Sequence, residues 1–112
     1  MQYTSHCRAI MTIRVVDYLK ERMKSSDVDV VMEAEYALAD SAWFNMIVSS
    51  VKVEEIDQVL ASLKEQENYY KHRSNDNRYT KQARKVFEER VKMYEDIQNI
   101  INKCIKGKDY EV

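Results

Sequence analysis

Residues 78–106 read RYTKQARKVFEERVKMYEDIQNIINKCIK, and this stretch decides the fold. Ala83, Phe87, Arg90, Tyr94, Ile97, Ile101 and Cys104 recur at alternating spacings of four and three, the period of one helix face. Val86, Val91, Ile100 and Ile105 flank that stripe. Lys103 and Lys106 suit the negative end of a helix dipole, and Gly107 stands where a left-handed terminator is expected. A helix from about Arg78 to Lys106 would be about 44 Å long at ~1.5 Å per residue. Alone in water it would expose its apolar stripe, so it needs a partner.

The preceding segment supplies one. From about Val53 to Lys71, the residues Ile56, Val59, Leu60, Leu63 and Tyr70 mark a second amphipathic helix. Ser49-Ser50 and the acidic pair Glu54-Glu55 suit its start. His72-Arg73-Ser74-Asn75-Asp76-Asn77 is a short polar loop whose side chains compete with helix by bonding to their own backbone. A short loop between two helices implies an antiparallel hairpin.

Two earlier segments pack on it. The first helix is expected from about Ile13 to Lys24, with Val15, Val16, Leu19 and Met23 on one side and Thr12 as N-cap. Its β-branched start makes a short strand the competing reading. The second is expected from just after Ser25-Ser26-Asp27 to about Ser50. Met32, Tyr36, Ala39, Trp43 and Met46 form one stripe, which Val31, Leu38 and Ala42 widen. With Ala34, Ala37, Phe44, Ile47 and Val48 added, it is apolar on most faces, as the surrounded centre of a bundle would be. A break near Asp40–Ser41 is compatible with this pattern.

The whole chain has no proline and a single glycine, so little interrupts helix. The fold expected is all-α: a three- or four-helix bundle built on a long antiparallel helical hairpin, with residues 1–112 as one domain. Met11 offers an alternative start, on which reading residues 1–11 are a flexible N-terminal extension. No apolar run approaches a membrane span, since Asp40, Asn45 and Lys52 interrupt the longest, 34–53. No signal peptide is read at the N-terminus. Cys7 and Cys104 do not make a disulfide framework, and reduced cytoplasmic thiols are expected.

The formal net charge is only −1, but charge is segregated. Residues 27–67 hold ten acidic side chains against Lys52 and Lys64, while residues 68–92 hold eight basic ones against Asp76, Glu88 and Glu89. The basic stretch is the first candidate site: Tyr69, Lys71, His72, Arg73, Arg78, Tyr79, Lys81, Arg84 and Lys85 combine cations for phosphates or acidic partners with rings for stacking. The bland alternative is that these residues only solvate the hairpin tip. An antiparallel fold is expected to set Glu65 and Glu67 opposite Arg78, Lys81 and Arg84. The second candidate is Trp43-Phe44: adjacent helical positions point about 100° apart, so an incompletely surrounded helix would expose one ring as an interface anchor. The acidic face of Asp27, Asp29, Glu33, Glu35 and Asp40 is a third, of the kind a nucleic-acid mimic presents.

Catalytic constellations are not found. His6 and His72 have tyrosines, not carboxylates, three residues before them, so no Glu-x-x-His pair exists for a di-metal site. Glu54-x-x-Asp57 has no matching acidic motif, and one glycine cannot build a phosphate-cradling loop. The expectation is a non-enzyme without cofactor or metal. It is a cytoplasmic, regulatory protein-interaction module (adaptor, inhibitor or assembly factor) whose partner is another protein, and it is expected to form a homodimer. Its Lys, Asn, Ile and Tyr usage fits the AT-rich genomes that phages and mobile elements often carry. The alternative expectation is a nucleic-acid-binding module using the tip at 69–85.

Overall fold

The computed structural model describes residues 5–49 and 53–106. These form five helices: α1 Ser5–Arg22, α2 Val28–Asp40, α3 Ala42–Ser49, α4 Val53–Ser74 and α5 Lys81–Lys106. The fold is all-α, and α4 and α5 make the most extensive packing in the molecule, as the sequence spacing predicts. The bundle is elongated, 48 Å along its longest axis.

Local chemistry explains most boundaries. Asp27 caps α2, its Oδ1 accepting from the Asp29 amide at 3.0 Å. The second helix, expected to continue to about Ser50, is instead divided at Ser41, where the sequence was compatible with a break. Ser41 is extended (φ −103°, ψ 125°), and its carbonyl accepts from the Asn45 amide at 3.0 Å, opening α3. At the tip, α4 runs past Lys71 to Ser74. There Ser74 Oγ and Asn75 Nδ2 both donate to the Lys71 carbonyl and close the helix end. Thr80 then caps α5, with Oγ1 accepting from the Ala83 amide at 3.1 Å. The last helix therefore starts at Lys81 rather than Arg78, because Asp76 and Thr80 satisfy the local amides in a turn.

The first helix departs further from expectation. It begins at Ser5, and Thr12 lies inside it rather than at its cap. Met11 is fully buried and extends the Val15–Leu19 stripe by one turn, so tertiary packing outweighs the capping signal. The segment 5–11 is thus helical and continuous with the rest of α1.

The core joins Met11, Val15 and Leu19 of α1 to Trp43 and Ile47 of α3. Ile56, Val59 and Leu63 of α4 and Met93, Ile97, Ile101 and Cys104 of α5 complete it. α5 touches α4, α1 and α2, while the second helix is not surrounded as expected, because α2 packs on α1, α3 and α5 with one face left exposed. Among its described side chains, α2 buries Glu33, Ala34 and Ala37, and leaves Val28, Met32 and Tyr36 outside. The small side chains face inward because they let α2 approach its neighbours closely. Polar ties hold α1 on the last helix: Tyr18 Oη donates to Asp96 Oδ2 at 2.6 Å, and Arg22 Nη2 to Glu89 Oε2 at 3.0 Å. Burial, then the bond to Asp96, raises the Tyr18 phenol above its ordinary value.

Candidate interaction surfaces

The hairpin tip is organised around Arg73. Its guanidinium carbon lies 4.0 Å from the Tyr69 ring centroid and 5.5 Å from that of Tyr79, and Nη1 donates to Tyr79 Oη. Tyr79 stands edge-on to Phe87 at 5.1 Å. Phe87 stacks on Tyr70 at 5.6 Å, and Tyr70 on Tyr94 at 6.2 Å. Tyr69 meets Tyr70 edge-on at 5.0 Å. A ladder of rings therefore runs from the tip into the core, and Arg73 closes its outer end.

Three further tip cations, Arg78, Arg84 and Lys85, are also engaged within the chain. Arg78 grips Asp76 with Nε and Nη2, the latter at 2.7 Å, and this hydrogen bonding pulls the Asp76 carboxyl down to about 2. Arg84 Nη1 donates to Asn77 Oδ1 at 3.3 Å. Lys85 Nζ pairs with Asp27 at 3.0 Å and holds that carboxyl below its usual range, while Gln82 donates to Asp29 at 2.8 Å. These two contacts tie the start of α5 to the start of α2. The side chains of Lys71, His72 and Lys81 are exposed and have no ion pair among the described residues.

The pairing expected across the tip does not form. Glu67 is buried between α4 and α5, accepting from Gln98 at 2.9 Å and Lys64 at 3.0 Å, and Glu65 is exposed. Because α4 continues to Ser74, its carboxylates lie well back from the tip, opposite the middle of α5 rather than its first turns. The ionic partner of Arg78 comes from the loop, and that of Lys85 from α2.

The Trp43–Phe44 pair divides as adjacent helical positions must. Trp43 is 4% exposed and belongs to the core, so the role of exposed anchor does not fall to it. Phe44 is half-buried, edge-on to Trp43 at 6.1 Å.

Two features were not singled out by sequence. The first is the outer face of α2. Val28, Met32 and Tyr36 follow each other at four-residue steps and are 67%, 43% and 63% exposed, with Ala39 continuing the line and Glu35 beside it. Its apolar residues were visible, but a helix apolar all round gives no signal of which side turns inward. The second is a pocket of about 280 Å³ at the α2–α3 break. Its lining includes Glu33, Tyr36, Trp43, Gln66, Met93 and Tyr94, drawn from four helices. Glu33 Oε1 accepts from Arg90 Nε at 2.8 Å, and the Arg90 guanidinium lies 4.8 Å from the Tyr70 ring centroid. Burial, then the proximity of Tyr70, pushes the Tyr94 phenol up to about 12. The break was the only signal of this site in the sequence.

Among the described residues, no three His, Cys, Asp or Glu side chains converge as a metal site, and no helix is long and apolar enough to cross a membrane. No protein family, curated protein or solved structure matches the chain.

Proposed function

We propose that the protein is a small, non-enzymatic, cytoplasmic interaction module that binds another protein through the outer face of α2 and regulates it. The supporting observation is the ridge of Val28, Met32 and Tyr36, which the fold leaves in water. A continuous apolar ridge bordered by charge is characteristic of surfaces that dock a partner. Glu35 beside the ridge and the acidic excess of residues 27–67 favour a partner that combines apolar side chains with positive charge. A second copy would present the same acidic excess, so a different, positively charged protein suits the face better. Nucleic-acid binding at the tip has less support, because Arg73, Arg78, Arg84 and Lys85 already have partners within the chain.

The test is reconstitution. A protein retained from host extract by the full chain is purified, and its binding is measured by calorimetry. Met32→Glu with Tyr36→Glu should weaken it at least ~100-fold, the ~3 kcal/mol typical of losing an interface hot spot. Unchanged binding by this variant refutes the assignment of the face. Sedimentation of the chain alone shows whether self-association uses the same ridge.

A further inference from the structure

We propose that α2 is an arm latched by charge, which leaves α5 as a unit while the α4–α5 hairpin stays folded. The inference goes beyond the docking reading and does not depend on what the outer face binds. It follows from how α2 is held. Every other helix places at least two apolar side chains larger than alanine in the buried core. Among its described side chains, α2 places only Ala34 and Ala37 there, with Leu38 half-buried against the core. Two methyl groups remove little apolar surface from water. A row of polar contacts to α5 stands beside them. Lys85 Nζ meets Asp27 Oδ2 at 3.0 Å, Gln82 Nε2 donates to Asp29 Oδ2 at 2.8 Å, and Arg90 Nε donates to Glu33 Oε1 at 2.8 Å. Three of the five carboxylates that the sequence offers as an acidic face are thus engaged with α5. The first two contacts lie within reach of water and salt, since Lys85 is 52% exposed and Gln82 is exposed. The third is more enclosed, but opening rehydrates both charges and so offsets much of the lost attraction.

The ends of α2 suit such an opening. Residues 23–26 before it are not helical, and Ser41 after it is a single extended residue (φ −103°, ψ 125°). Beyond that joint, buried Trp43 and Ile47 keep α3 in the core. An element held by few apolar contacts opens at a free energy below that of global unfolding. A helix of 13 residues without tertiary contacts is marginal in water, so released α2 loses the protection of its amides. Opening also parts Ala37 from Met93 and Tyr94, which line the same pocket. The docking ridge therefore rides on the helix that the fold holds least firmly.

Hydrogen exchange on the full chain, without any partner, tests the arm and the latch separately. Amides of residues 32–40 should exchange at least ~100-fold faster than those of residues 93–101 in the middle of α5. Raising sodium chloride from about 0.01 M to about 1 M shortens the Debye length from roughly 30 Å to about 3 Å. Exchange of residues 32–40 should then quicken about tenfold relative to residues 93–101, as three weak polar ties are screened together. Lys85→Met, at an exposed position outside the core, should quicken the same amides about threefold and shrink their response to salt. Exchange of the two segments at one common rate would overturn the arm. Faster exchange of α2 that neither salt nor Lys85→Met alters would overturn the latch. Because no partner takes part, either failure leaves the reconstitution result for the α2 face standing.

Discussion

The hairpin tip and the outer face of α2 both place aromatic side chains at the surface, but the fold uses them differently. At the tip, Tyr69, Tyr79, Phe87 and Tyr70 contact one another and Arg73, and the ladder they form is anchored on buried Tyr94. The exposed edges belong to a structure that holds the ends of α4 and α5 together. On α2, Val28, Met32 and Tyr36 form no such ladder, and the inward face consists of Ala34, Ala37 and Glu33. A basic cluster is conspicuous in a sequence, yet most of its cations are engaged internally. Apolar residues that the core does not need are inconspicuous, and they are the stronger sign of a partner.

Mutations should separate the two regions by stability. The largest effect is expected from Phe87→Ala, which breaks the ladder between Tyr79 and Tyr70 and should cost about 2–3 kcal/mol for a half-buried ring. Urea denaturation measures it, and a cost near zero would mean that the tip is not a structural ladder.

An alkaline titration probes the inner end of the same ladder. The Tyr94 phenol stands at about 12 when folded, against 10.0 for the ordinary group. A raised folded value means that the folded chain holds its proton more tightly. The stabilisation is therefore complete below pH ~10 and is lost as the pH rises through ~12. The loss should be on the order of 1–2 kcal/mol after allowance for partial exposure, and Tyr94→Phe should remove this part of the pH dependence.

Arg73→Ala should cost less, about 1 kcal/mol, and should fray the end of α4 without altering the core. Met32→Ala and Tyr36→Ala should cost least, within about 0.5 kcal/mol, because the fold does not use those side chains. A Tyr36→Ala cost larger than that of Arg73→Ala would reverse the comparison between the two regions.

The hairpin was legible because α5 carries a long uninterrupted period and nothing in the chain breaks helix. The α2–α3 break was only permitted by Asp40-Ser41, two residues that favour helix ends, since the spacing reads as one helix to about Ser50. The orientation of α2 was not legible, because a helix with alanine on one side and valine, methionine and tyrosine on the other gives no reliable inward direction. Size decided it: α2 fits against its neighbours with the alanines inside. The tip's composition was read correctly, but its pairings were not. Asp76–Arg78 depends on turn geometry, and Lys85–Asp27 joins positions far apart in the chain. The pocket needed four helices to assemble, so no local pattern could reveal it beyond the break that opens it.

Hydrogen exchange on the full chain, alone and with its reconstituted partner, tests most directly whether α2 rather than the tip is the working face. Amides of residues 28–49 should slow on binding, while those of residues 71–85 should exchange at unchanged rates. Protection of residues 71–85, with residues 28–49 unaffected, would contradict the account.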